Sequence, residues 1–229
     1  MPGPRQDLRR RLTALAFDQA GYFTTSQALN VGYSYQAQKY HADHGNWVRI
    51  DRGVYRFPDW PVTSDDAYVR WSLWSGGRAV VSHETALSVH GLSDLDPGRL
   101  HLTVDPSFHR RDDAVVLHVA ELADDDIEQR GAWSVTTPVR TLLDVAQGDT
   151  AQEHLDRAVL DGLRLGRLSR RALLLATDAA PDRAALRVER AIAASEAQLC
   201  AQTWPAASGI AFGTSPLSAA STRQGSAAT

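Results

Sequence analysis

The chain has 229 residues, 43% of them hydrophobic, and a formal net charge of −3. That is enough for one large or two small domains with at least one proper core. A single cysteine, Cys200, excludes a disulfide framework or a multi-cysteine metal site and fits a reducing cytoplasm, and the lack of any long apolar run excludes a transmembrane helix. The arginine-rich N-terminus has no apolar stretch of the kind a secretory signal needs. The charge is uneven: up to Pro58 eight basic residues face four acidic ones, whereas the remainder carries sixteen against twenty-three. A basic head on an acidic body fits a DNA-reading unit attached to something else.

In chain order, Leu8, Leu12, Leu15 and Ala16 recur at helical spacing, so Arg5 to Ala20 is an amphipathic helix that Gly21 ends. Phe23 follows as a core anchor. Thr24 or Thr25 caps a short helix to about Leu29, and Asn30 to Tyr33 make a turn. Ser34 caps a second helix from Tyr35 to about His44, with Gly45 placed as a C-terminal stop. Trp47–Ile50 and Val54–Phe57 alternate like two strands around an Asp51-Arg52-Gly53 loop. Helix-turn-helix plus hairpin is the winged-helix plan. On it, Tyr35, Gln36 and Lys39 occupy the end of the recognition helix that enters a major groove. Arg49, Arg52 and Arg56 in the hairpin are expected to hold phosphates. Ala37, Tyr40, His41 and His44 form the expected packed face, which is wet for a core.

Pro58 to Pro61 marks the expected boundary between residues 1–58 and a second domain over residues 63–197. That domain reads as helix (Asp65–Trp74), short buried strand (Ala79–Val81) and helix capped by Ser82 (His83–His90). Strands follow at Leu100–Val104, Val115–Val119 and Trp133–Thr136. Helices then start at Pro138, Ala151, Arg170 and Asp182, the last running to about Ala197. The expected class is α+β: a winged helix-turn-helix, then a mixed domain with a small sheet and a helical C-terminal part. Residues 198–229 are expected to be disordered, because small residues dominate and one charge, Arg223, remains beyond Cys200.

Searches for catalytic chemistry return little. His83-Glu84-Thr85-Ala86-Leu87 lacks the second histidine of a zinc helix motif, and a shared ligand for His83 and His90 is the weaker reading. The acidic run from Glu121 to Glu128 reads as a solvated loop. Neither a nucleophile elbow nor a phosphate-binding loop is present, and Lys39, the only lysine, leaves none for a Glu-x-Lys nuclease core in the body. No enzyme activity, metal or cofactor is expected.

Several stretches resemble AbiEi-family antitoxins of type IV toxin–antitoxin systems. In the head these are Gly21–Ala28, Gly32-Tyr33-Ser34 and Arg49–Arg56. In the body they are Ser82–Leu87, His90-Gly91-Leu92, Leu100–Val104 and Val135–Asp144, a pattern shared with relatives that continue into a Vsr-like endonuclease domain. The resemblance implies a cytoplasmic repressor whose winged helix binds double-stranded DNA repeats in its own promoter. It also implies a C-terminal domain that counteracts a nucleotidyltransferase toxin. Two other readings stand beside it: a truncated relative of the endonuclease-domain proteins, and a protein-interaction module without DNA binding.

Overall fold

A computed structural model describes residues 4–94 and 96–203. It is mixed α+β, as expected. The head consists of α1 (Pro4–Phe17), β1 (Tyr22–Thr24), α2 (Thr25–Val31), α3 (Tyr35–Asp43), β2 (Val48–Asp51) and β3 (Val54–Arg56). Its sheet has the order β1-β3-β2, both pairings antiparallel. The sequence reading has no strand before α2. Tyr22–Thr24 is too short to show a period of its own and becomes a strand only by pairing with Val54–Arg56.

Alternation along these strands divides the side chains between two faces. Phe23 joins Leu12, Ala16, Ala28, Val31, Tyr33 and Trp47 in the core of the head, with Tyr55 packed against it. Tyr22 and Val54 point the other way, into a second core with Val69, Trp71 and Trp74 of α4 (Asp66–Ser75). The small sheet is therefore apolar on both faces and lies between the head helices and the first body helix. Gly21 makes the close approach: at φ +80° its Cα faces the Trp60 ring, and a Cβ there would lie 2.3 Å from Trp60 Cγ.

The body continues with β4 (Val80–Val81), α5 (His83–Val89), β5 (Leu100–Val104), β6 (Val115–Val119), β7 (Ile127–Arg130) and β8 (Trp133–Thr136). The five strands are ordered β6-β5-β4-β8-β7. β5 and β6 are parallel although adjacent in sequence, so residues 105–114 must run back along the sheet. Buried Phe108 anchors that return, and Arg78 holds its start through Asp105 at 2.6 Å. The acidic run read as a loop in fact enters the sheet. Asp124–Asp126 is a 3-10 turn and Ile127–Arg130 pairs antiparallel with β8, where backbone hydrogen bonding rather than apolar pattern makes the strand.

Helices α6 (Pro138–Gln147), α7 (Gln152–Arg164), α8 (Arg170–Thr177) and α9 (Asp182–Thr203) share a third core of Leu142, Val145, Leu155, Val159, Leu173, Val188 and Ile192. Thr137 caps α6 and Pro138 opens it, as its fixed φ favours. Arg187 of α9 ties the group together: its guanidinium donates to the carbonyls of Ala146, Gly148 and Thr150, satisfying the C-terminus of α6. α9 continues to Thr203, past the expected stop at Ala197, and the rest of the expected disordered tail, residues 204–229, lies outside the described residues.

Candidate nucleic-acid interface

The helix-turn-helix is set by its caps. Thr24 accepts from the Gln27 backbone N–H at 3.2 Å while the Gln27 side chain accepts from the Thr24 N–H at 2.8 Å, a complete capping box. Ser34 caps α3 by accepting from Ala37 N–H at 3.2 Å. The wing is tighter than expected. Asp51 pairs directly with Val54, so the loop is the two residues Arg52 and Gly53, and the extra residue appears as a bulge between Arg49 and Asp51. Gly53, at φ +79°, supplies the positive φ such a turn requires, and its carbonyl accepts from Thr25 N–H at 2.9 Å, docking the wing on α2.

On α3, Tyr35, Gln36 and Lys39 are all exposed and share one side of the helix. Lys39 pairs with Asp43 one turn on at 2.7 Å, with both side chains largely in water, so the pair adds only about 0.3–0.5 kcal/mol to the helix. Of the expected packed face, Ala37 and His41 pack against the head core, whereas Tyr40 and His44 do not. Tyr40 is 55% exposed and stacks on exposed His44 at 4.0 Å. The buried polar residue is Gln38, 2% exposed, which donates to the carbonyls of Thr25 and Tyr33. His41 packs flat on Trp47 at 4.8 Å, and burial, then the charges of His44 and Arg9, lower its pKa.

Arg49 and Arg52 are exposed on the edge strand and at the wing tip, and neither enters an ion pair among the described residues. Arg56 does not join them. It shares the inward parity of Val54, so its guanidinium lies 3.0 Å from Asp66, donates to the carbonyls of Trp60 and Pro61 and rests on the Tyr22 ring. Its side chain is 12% exposed. The expected phosphate contact is thus corrected to a clamp between head and body.

The sequence reading missed a neighbouring feature. α1 and α3 enclose a groove of about 970 Å³ lined by Arg5, Arg9, Tyr33, Gln36, Tyr40 and His41. Two arginines of α1 thus stand beside α3. Their clustering in a basic first helix is visible in the sequence; their approach to Gln36 requires the packed fold.

In the body, the residues shared with the antitoxin pattern form internal braces. Arg140 bonds Asp144 and Asp126 at 2.8 and 2.9 Å, adding a second carboxylate to the expected helical pair. The Thr141 hydroxyl bonds that of Thr136 at 2.7 Å. His90, 1% exposed, has Nε2 2.7 Å from the Thr136 carbonyl, so it donates across the core instead of complementing a helix end or meeting His83.

Among the described residues no helix is long and apolar enough to cross a membrane. No curated protein matches the chain. Among solved structures the fold is similar to the crystal structure of the RV2827C protein from Mycobacterium tuberculosis, with a TM-score of 0.56 at 16% identity over 82% of this chain and 77% of that one. Residues 10–58 match a family model described as transcriptional regulator, AbiEi antitoxin, a family of regulators and not of enzymes. The segment that matches spans both helices of the helix-turn-helix and the whole wing, and over those residues the chain is similar to the AbiEi antitoxin family.

Proposed function

We propose that this protein is a DNA-binding antitoxin of a type IV system, acting in the cytoplasm, that represses its own operon through the head. The observation that carries this reading is the outward row Tyr35, Gln36 and Lys39 on α3, together with Arg49 and Arg52 of the wing, which are exposed and free of ion pairs among the described residues, all inside the segment that matches the antitoxin family. With α3 in a major groove, the Gln36 amide has the donor–acceptor pair that matches an adenine edge. Tyr35 is placed for a phosphate or a thymine methyl. Arg52 at the tip reaches the backbone or the adjacent minor groove, and Arg5 and Arg9 flank the same face. Lys39 contacts a phosphate by exchanging Asp43 for it.

The test is binding of the purified protein to its own promoter as a function of salt. Arg52→Ala and Lys39→Ala are each expected to weaken binding to all sequences and to reduce the salt slope by about one. Gln36→Ala should instead relax preference at one base position, by roughly 1–3 kcal/mol. Asp43→Asn should tighten binding, because it removes a like charge beside the phosphates. Binding unchanged in both Arg52→Ala and Lys39→Ala would overturn this face and favour a head used for protein contacts.

The acidic body is the part proposed to counteract a nucleotidyltransferase toxin. Its net negative charge supports a basic partner surface. Co-purification with the product of a neighbouring nucleotidyltransferase gene, weakened by added salt, is the expected result. Metal-dependent DNA cleavage by the purified protein would instead support the nuclease-related reading.

A further inference from the structure

The five-stranded sheet of the body ends in two unlike edges. β7 carries Glu128 and Arg130, which pair at 2.8 Å, and charged side chains of this kind protect an edge from added strands. β6, at the other end, reads Val-Val-Leu-His-Val, with no charged residue and no proline, and Val119 is 63% exposed. The segment leading into β6 is anchored away from this edge. Phe108 packs on Trp74, and Arg110 donates to the Trp74 carbonyl, which holds the segment against α4 on one face of the sheet.

Backbone parity identifies the free groups. Ala120 N–H donates to the Val104 carbonyl at 3.1 Å. Val116 and His118 share the parity of Ala120 and turn their backbone groups to β5, whereas Leu117 and Val119 turn theirs outward. Among the described residues none of these four outward N–H and C=O groups has a backbone hydrogen-bond partner.

A cleft of about 980 Å³ borders that edge. Leu117, Val119 and Ala120 line it together with Ala179, Ala180 and Pro181 of the turn before α9. Its charge is one-sided. The carboxylates of Glu84, Asp126, Asp144 and Asp149 outnumber Arg140, which pairs with Asp126 and Asp144, and Arg183 of α9, which pairs with Asp149. His83, His101 and His118 line the cleft as well; burial lowers the pKa values of His83 and His118, so these two rings carry no charge near neutral pH. Just past β6, Glu121, Asp124 and Asp125 are exposed. A second copy is the poorer occupant. Antiparallel pairing of two β6 strands about Leu117 sets Asp113 opposite Glu121 twice, and like charges directly opposite are destabilising.

We propose that β6 is a docking edge that takes up an extended, basic segment of a partner polypeptide as a sixth strand. Side chains of an added strand alternate between the two faces. Lysines or arginines then lie over the acidic cleft, and the apolar residues between them extend the face of Leu117 and Val119, which packs toward α4. The inference rests on the reading of the acidic body as the part that meets a basic partner, and it names the surface that does so.

The probe is a synthetic acetylated heptapeptide of alternating lysine and valine, titrated into the full chain, with a glutamate–valine peptide as control. The expected result is saturable one-to-one binding of the lysine peptide that weakens with salt, none of the glutamate peptide, and slowed hydrogen exchange at the Leu117 and Val119 amides. Val119→Pro removes only an outward N–H, which an edge strand tolerates. It should weaken binding roughly tenfold or more while the far-ultraviolet dichroism stays that of wild type. Val119→Lys keeps every backbone group and should also weaken binding, by placing a cation beside the lysines of the peptide. No saturable binding by the wild-type protein, equal binding of the two peptides, or undiminished binding by folded Val119→Pro overturns the proposal. So does a wild-type dimer that Val119→Pro returns to one chain, which would make a second copy the occupant. A neighbouring gene product that co-purifies equally with Val119→Pro overturns this edge and leaves the partner reading standing; peptide binding at the edge without such co-purification does the reverse.

Discussion

Arg56 shows how far residue type alone carries a functional assignment. An arginine in a hairpin after a helix-turn-helix reads as a phosphate ligand, yet this one is largely covered by Asp66 and Tyr22. The parity was in the sequence: two residues from Val54 on one strand, it had to share the face of Val54. That this face is covered by α4, and not open to DNA, depends on how head and body pack. Removing the guanidinium leaves Asp66 buried without its charge partner. Arg56→Ala is therefore expected to cost roughly 3–5 kcal/mol, read as a lower urea midpoint. Arg52→Ala, on the wing tip, should leave that midpoint within about 0.5 kcal/mol of wild type. Equal effects of the two would contradict the division between a clamp and an exposed wing tip.

Elements followed their local signals where those signals were strong. The caps at Thr24 and Ser34 start helices where the sequence reading has them, and Thr137 and Ser169 cap the helices expected to start at Pro138 and Arg170. Short strands behaved differently. β1 and β7 carry little pattern of their own and exist because partner strands complete their hydrogen bonds. Helix α3 lies between these cases. Its existence was legible, but its buried side only in part: Ala37 and His41 pack as expected, whereas Gln38 is tolerated inside only through the backbone carbonyls of Thr25 and Tyr33. The join of α1 to β1 rests on Gly21 in the same way. A side chain there is strained by about 1–2 kcal/mol from the positive φ and also meets the Trp60 ring, adding roughly 1–3 kcal/mol of overpacking. Gly21→Ala should therefore lower the thermal midpoint by several degrees, more than Gly45→Ala, which has open space around it.

For the molecule as a whole, acid is the expected weakness. Burial, then the neighbouring His118, lowers the His83 pKa to about 3; burial also lowers those of His90 and His118. Unfolding frees these rings to take protons at ordinary imidazole values. Above about pH 6.5 they are neutral in both states and contribute no pH dependence. As the pH falls below that value the unfolded chain gains protons that the folded chain does not, and stability is lost by at most about 1.4 kcal/mol per pH unit for His83, with losses of the same sign from His90 and His118. For His83 the loss continues down to a pH of about 3. Glu84 adds to it at lower pH: burial raises its pKa, but hydrogen bonds from His101 and Thr150 outweigh this and bring it to about 2, so its contribution fades from about 4.5 downward. Urea midpoints should fall between about pH 7 and about pH 5. A flat profile over that span would show that the imidazole cluster opens to water.

The sequence by itself determined the class of this protein, the helix-turn-helix, the wing and the outward row Tyr35, Gln36 and Lys39, because capping, turn and helical-period signals act within a few residues. The family match falls on that same locally coded segment. Tertiary structure alone decided that Arg56 braces where Arg49 and Arg52 reach out, and that the small sheet is covered on both faces. It also gathered Glu84, His101 and His118 in one cleft of the body. Each of these depends on parallel strand pairing or on packing between segments far apart in the chain, and no local pattern of residues encodes which distant surface will cover which face.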